Sequence, residues 1–407
     1  VIHNGLKRLE YRGYDSWGIS VSIENDFETF KTTSELDKKP EYAVINSNIG
    51  IGHTRWATHG GVTKNNAHPH TSSDGYFVLA QNGIVENFRN LKDFLIEKGF
   101  YFKTETDTEV IVKLIEFYIR SGKNFEDSVV KAFKTLKGRN TVIVLNRDNT
   151  IMAIKNGSPL TVGLTKDDVY FSSDTLSYAD KTKEVVILND LEMVIFKNGE
   201  LEFKDLQTEK VIHKEPLNLS HQQEKIDKEG YDHFMLKEIV EQKDAINNAT
   251  NYQERELKTV LETIGSASKV YTVGAGTAGF AAGQVAYLLR KIAGVQAIEL
   301  KAYEVDSYQK IFDKNSAMIA FSQSGETADT LEAIKVAKDS GVKIISLVNM
   351  MGSTISRESD LKYYLRVGPE ICVVSTKAFT GKVAWGYLLA HSLTGNYHGA
   401  RKSLNIT

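Results

Sequence analysis

From residue 269 onward, short apolar strands alternate with amphipathic helices, and no other feature restricts the fold of this chain as much. Strand patterns occupy 269–273, 295–300, 317–321, 343–348 and 361–367. Helical patterns fill the gaps up to 292 and 340, after a long helix predicted to end near 264. Such alternation argues for a parallel sheet flanked by helices. Residues 1–200 follow another rule. A short amphipathic helix carries Leu6, Leu9 and Tyr11 and closes at Gly13. Strands are predicted at 18–23, 49–53, 76–80, 141–145, 151–155, 169–172 and 184–188, several ending in Asn, Asp or Gly turns. Two helices stand among them, at 87–98 and 107–121, and the second has Thr106 and Glu109 in capping-box spacing. Strands with helices set between them predict an α+β sandwich. Residues 201–230 are polar and read as a surface linker. The expected division is 1–200, a linker at 201–230, and 231–407.

Composition narrows the function classes. A chain of 407 residues suits two or three domains. The formal net charge of −2 gives no basic excess for nucleic acid. No apolar run approaches the roughly 18–20 residues of a membrane span. One cysteine, Cys372, excludes an internal disulfide and a multi-cysteine metal cluster. Neither a metal nor a cofactor is expected.

Two turns in the second half point to a ligand. Val273-Gly274-Ala275-Gly276-Thr277-Ala278-Gly279 follows a strand and opens a helix, with Glu299 about 20 residues on. That spacing suits a dinucleotide, and equally a tight turn needing glycine for close packing. The next turn, Ser322-Gln323-Ser324-Gly325-Glu326-Thr327, sets three hydroxyls and an amide around a glycine at a helix N-terminus. Exposed N–H groups and the positive dipole end favour a phosphate there. No P-loop lysine accompanies it, so a small phosphorylated metabolite fits better than a nucleoside triphosphate. Val374-Ser375-Thr376-Lys377 supplies further hydroxyls after the 361–367 strand.

In the first half, His53-Thr54-Arg55-Trp56-Ala57-Thr58-His59-Gly60-Gly61 gathers functional side chains after a strand. Asn66-Ala67-His68-Pro69-His70, Gln81-Asn82-Gly83 and Thr106-Asp107-Thr108-Glu109 follow. Together they suit a free amino acid. Arg55 can fork onto an α-carboxylate, Asp107 can hold an α-ammonium, and Asn82 with the Gly83 N–H can receive an oxyanion. No serine sits in a nucleophile elbow, and Cys372 lies in the other half.

These motifs carry two resemblances. Ser322–Thr327, Gly276-Thr277 and Ser375-Thr376-Lys377-Ala378-Phe379-Thr380 are similar to the phosphate-side motifs of sugar isomerase (SIS) domains, departing at Ala278 where the family commonly has serine. The first-half motifs, with Arg8-Leu9-Glu10-Tyr11-Arg12-Gly13-Tyr14-Asp15-Ser16, resemble the class II (Ntn-type) glutamine amidotransferases. Gln81 stands where many members have histidine. The two in succession resemble the glutamine–fructose-6-phosphate aminotransferase family. That resemblance implies an Ntn-type sandwich followed by a sugar isomerase lobe, in a cytoplasmic homodimer of hexosamine (UDP-GlcNAc) biosynthesis. L-glutamine would meet Arg55, Trp56, Thr58, His59, Gly83 and Asp107, with Trp56 gating an ammonia channel and Arg12 and Asp15 in the pocket wall. Fructose 6-phosphate would meet Thr277, Ser322, Gln323, Ser324, Thr327 and Ser375. In this family the nucleophile is an N-terminal cysteine, where this chain has Val1, and a second lobe carries the isomerisation groups. The chain as given is therefore expected to be inactive, a fragment at both ends. Other readings at this stage are another class II amidotransferase, a phosphosugar-binding regulator, and NAD binding at 273–279.

Overall fold

The computed structural model describes the chain except residues 11–12, 37–46, 220–227, 373 and 406–407. Tyr11 and Arg12, named above, lie outside the described residues. Two compact units emerge, Val1–Gln223 and Glu224–Thr407.

The first unit opens with α1 (Ile2–Leu9), β1 (Ser16–Ile23), β2 (Asp26–Thr32) and β3 (Gly50–Arg55). Next come β4 (His70–Thr71), β5 (Phe77–Gly83) and the helices α2 (Phe88–Glu97), α3 (Thr108–Arg120) and α4 (Phe125–Thr135). Strands β6 (Asn140–Asn146), β7 (Ile151–Asn156), β8 (Thr161–Leu164), β9 (Val169–Ser172) and β10 (Glu184–Ile187) follow. The series closes with β11 (Glu192–Lys197), β12 (Glu200–Asp205), β13 (Lys210–Ile212) and β14 (Leu217–Asn218). An antiparallel sheet of order β13-β12-β11-β7-β6-β5-β4 forms the middle layer, facing two smaller sheets, β2-β1-β3 and β14-β10-β8-β9.

Period-two alternation divides the side chains of the central sheet. Phe77, Leu79, Val142, Val144, Met152 and Ile154 bury beneath the three helices. Val78, Ala80, Leu145 and Ile151 face the other way and meet Ile51 of β3. On the outer side of β3, α1 packs so closely that a Cβ at Gly52 would sit 2.6 Å from Ile2 Cγ2. Helices outside two sheet layers make the α+β sandwich expected from the sequence.

The second unit begins with α5 (Phe234–Val240), α6 (Gln242–Ala249) and α7 (Glu254–Ser266). Then come β15 (Val270–Gly274), α8 (Thr277–Ala293), β16 (Ala297–Lys301), β17 (Ala317–Phe321), α9 (Ala328–Asp339) and β18 (Lys343–Val348). It ends with α10 (Thr354–Glu358), β19 (Leu361–Tyr364), α11 (Lys377–Leu393) and α12 (Tyr397–Asn405). All five strands are parallel, in the order β16-β15-β17-β18-β19. Residues of α7, α8 and α11 cover one face, and those of α9 and α10 the other. The chain leaves β15 through α8 for one edge and leaves β17 through α9 for the other. The loops after these two neighbouring strands thus part at a topological switch point, where ligands of such sheets bind.

Two expectations need correction. Residues 201–230 are not simply a linker, because β12 and β13 extend the central sheet and β14 pairs with β10. Strands at or beside a sheet edge keep one face in water, so their polar composition imitates a linker. The single long helix ending near 264 is instead α5, α6 and α7. Thr250 ends α6, its hydroxyl turning back to the Ile246 carbonyl at 2.7 Å. A capping box between Gln253 and Glu256 then starts α7. Helices α4, α11 and α12 add to the expected elements.

Candidate functional site

In the first unit a cavity of about 1380 Å³ opens between the central sheet and the two smaller ones. Arg55, Trp56, Thr58, Asn82, Gly83 and Asp107 all line it. His59 does not line it; its Nδ1 stands 4.0 Å from Asp107 Oδ1. Strand alternation explains the placement of Asn82, which shares its face of β5 with Val78 and Ala80. Gly83 ends the strand at φ +137°, where a Cβ would lie 2.0 Å from the Arg139 carbonyl oxygen. Only glycine fits there.

Arg55 is buried at the end of β3, and its guanidinium turns onto the following loop. It donates to the carbonyls of Gly61 (3.3 Å), Gly60 (3.4 Å) and His59. Glu105 holds the same loop through the Gly61 N–H and the Asn66 amide, both at 3.1 Å. An α-carboxylate arriving at Arg55 therefore shares the guanidinium with this loop. Asp107, also buried, accepts the Val85 N–H at 2.8 Å through Oδ2. Its position is fixed before any ligand arrives. Asp15 accepts the Ala57 N–H at 2.8 Å, steadying the segment that carries Trp56. Trp56 itself is 52% exposed and lies 5.7 Å from the Tyr14 ring. The capping box at Thr106 is half made. Thr106 Oγ1 accepts the Glu109 N–H, while the Glu109 carboxylate accepts from Lys103 and Thr104 instead.

Beneath Asn82 lies a polar layer that the sequence motifs only hinted at. Gln81 donates to Asn140 Oδ1 at 2.7 Å and accepts from Thr108 Oγ1 at 2.5 Å. Thr108 Oγ1 also meets His68 Nε2 at 3.1 Å. The His68 ring lies between those of His53, tilted at 4.3 Å, and His70, edge-on at 4.9 Å. Burial, then the Arg55 guanidinium, pulls His53 down to about 4. Burial also holds His68 and His70 well below the usual histidine range, with neighbouring cations adding to it. These imidazoles are neutral at pH 7. Asn66-Ala67-His68-Pro69-His70 was visible as a motif, but its role as a buried layer needed the fold.

In the second unit all three glycines of the 273–279 turn have steric reasons. A Cβ at Gly274 would lie 2.8 Å from the Ala278 backbone, and one at Gly279 would lie 2.9 Å from the Gly274 oxygen. Gly276 adopts φ +55°. Thr277 opens α8 three residues after Gly274, whose partner in the sheet is Phe321, the residue before Ser322. In the next turn Ser322 Oγ accepts the Gly325 N–H at 2.9 Å and meets Thr327 Oγ1 at 2.9 Å. Ser324 Oγ accepts the Glu326 N–H at 3.1 Å, and the Gln323 carbonyl receives the Asn349 and Met350 N–H groups. The result is a compact hydroxyl-rich cradle at the start of α9.

Asn349 links this cradle to the third loop, donating to the Gly368 carbonyl at 2.7 Å and accepting the Val367 N–H. There the Ser375 hydroxyl is engaged within the loop. It donates to Glu370 Oε2 at 2.9 Å, and Glu370 Oε1 accepts the N–H groups of Thr376 and Ala378, both at 2.9 Å. Glu238 of α5 accepts the N–H groups of Ile371 and Cys372 and the Thr376 hydroxyl.

With both sites described, the chain can be set beside known proteins. The Glutamine amidotransferase domain family matches residues 37–197, and the SIS domain family matches 263–392. Glutamine–fructose-6-phosphate aminotransferase [isomerizing] of Pyrococcus horikoshii is 40% identical over 399 residues, covering 97% of this chain and 67% of that one. This chain belongs to the glutamine–fructose-6-phosphate aminotransferase family. The enzymes of the same name from Methanococcus maripaludis and Thermococcus kodakarensis are each 38% identical, covering 96% and 97% of this chain and 66% of theirs. Within the glutamine–fructose-6-phosphate aminotransferase family, then, the chain spans about two thirds of the length of these curated relatives.

Proposed function

We propose that this chain carries the glutamine wall and a sugar-phosphate cradle of an enzyme moving the glutamine amide nitrogen to fructose 6-phosphate. Isomerisation of the acceptor then gives glucosamine 6-phosphate. The observation that carries the reading is that Arg55, Asp107, Asn82 and Gly83 line one and the same cavity. A free amino acid presents a carboxylate, an ammonium and, in glutamine, a carboxamide, and these residues are complementary to all three. A thiolate adding to the carboxamide would place its oxyanion against the Asn82 amide and the Gly83 N–H, the position such donors stabilise best. No cysteine lines this cavity, so the chain by itself releases no glutamate from glutamine. The same reading includes a cytoplasmic homodimer serving UDP-GlcNAc synthesis.

Isothermal titration tests the sugar half. Fructose 6-phosphate is expected to bind, and Ser322→Ala to weaken it about tenfold, the loss of one or two hydrogen bonds to a charged group. Tighter binding of NAD than of fructose 6-phosphate would overturn the reading. For the glutamine half, glutamate release unaffected by Cys372→Ala would overturn the expectation that this chain by itself has no glutaminase turnover.

A further inference from the structure

The turn Ser322–Thr327, which offers hydroxyls and N–H groups to a phosphate, also contains an acid. Glu326 stands directly before Thr327, and a carboxylate so placed opposes a dianion. Its own bonding gives it a different task. Glu326 Oε1 accepts the Thr354 N–H at 2.7 Å, at the first residue of α10. The other carboxylate oxygen is buried and has no hydrogen-bond partner.

Residues 349–355 hold the turn at further points. The Gln323 carbonyl accepts the N–H groups of Asn349 at 3.1 Å and Met350 at 3.3 Å, and the Gly325 carbonyl accepts that of Ile355 at 2.9 Å. At Gly325, φ +66°, a Cβ would lie 2.0 Å from Ser353 Oγ, so the two segments approach as closely as glycine permits. Ile355 roots this support in the core at 0% exposure. Among these ties, the one at Glu326 is supplied by a side chain of the turn. Its acceptor is ionised, which makes such a bond stronger than its neutral neighbours.

We infer that Glu326 is a positioning residue for the cradle: its carboxylate clamps the turn to α10 and sets the phosphate donors in place before a phosphomonoester arrives. A turn ordered beforehand does not have to be ordered by the ligand, and affinity rises accordingly. Glu326 acts through Thr354 without touching the sugar phosphate. This rests on the sugar-phosphate reading above and adds no second anion site to it.

Calorimetric titration of the full chain with fructose 6-phosphate and with inorganic phosphate tests it. Glu326→Ala removes the acceptor, and Thr354→Pro removes the donor from outside the turn. Proline suits that place, because it is the first helical position and Ser353 before it is already extended at φ −61°, ψ 160°. Each variant is expected to bind both probes about tenfold more weakly, and the double variant no more weakly than either. Glu326→Gln keeps an acceptor and Thr354→Ala keeps the N–H, so both are expected within about twofold of the parent. Parent-like affinity in Thr354→Pro with a lowered melting temperature would mean that the tie serves stability alone, and would overturn the clamp. So would losses that add in the double variant, Glu326→Gln binding as weakly as Glu326→Ala, or weakening confined to fructose 6-phosphate. If Glu326→Ala does not fold, Thr354→Pro set against Thr354→Ala decides. Failure of the parent chain to bind either probe would remove the sugar-phosphate reading itself, and this inference with it.

Discussion

At the residue scale, Gly83 and the histidine layer under it give the sharpest expectations. Gly83→Ala forces a Cβ against the Arg139 carbonyl at a backbone angle unfavourable to L-residues. A loss of about 2–4 kcal/mol is expected in urea unfolding. His53 makes stability depend on pH. Its value in the folded chain, about 4, lies below the ordinary 6.5. The unfolded chain therefore takes up the proton first as the pH falls. The contribution of His53 is complete above about pH 6.5 and is lost progressively toward pH 4. The slope is about 1.4 kcal/mol per pH unit for each such histidine. His68 and His70 shift the same way and steepen it. Unfolding at pH 5 and pH 7 checks this; equal stability at the two values would show that these imidazoles are not buried neutral.

At the scale of elements, α5 is built inside out. Its charged Lys237 and Glu238 are buried, while Met235, Leu236, Ile239 and Val240 are 42–55% exposed. A carboxylate buried at 1% exposure is tolerated because it accepts from three donors of the loop before α11. Glu238→Ala strands those donors and is expected to cost about 2–3 kcal/mol in chemical denaturation. Leu236→Lys should cost less than 0.5 kcal/mol by roughly the standard for surface sites. Sequence pattern misleads here, because it assigns the apolar side to the core. Elsewhere it served well. The strands 317–321 and 343–348 were legible to the residue, since a parallel strand buried on both faces is apolar throughout. Strands at the sheet margin, β13 and its neighbour β12, were not, because many of their side chains face water. The site shows the same division. Arg55, Asn82 and Asp107 stand in motifs dense enough to notice, and the cavity gathers them. Glu370 and Glu326 looked like ordinary charges, for only the folded chain reveals the backbone N–H groups they hold.

The whole molecule carries separate cores in its two units. Differential scanning calorimetry is expected to show two transitions. Fructose 6-phosphate should raise only the one belonging to Glu224–Thr407, since bound ligand stabilises the unit that holds it. Acidification from pH 7 to 5 should lower chiefly the other, which contains His53, His68 and His70. A single transition moving with both treatments would mean that the units unfold as one.

Two strand edges, β3 and β9, end their respective sheets and border the same cavity. Among the described residues neither has a neighbour on that side. Unpaired edges recruit extended polypeptide. An extended segment lying in this gap could pair with either edge and satisfy its N–H and C=O groups, and such pairing is expected to make the protein less prone to self-association.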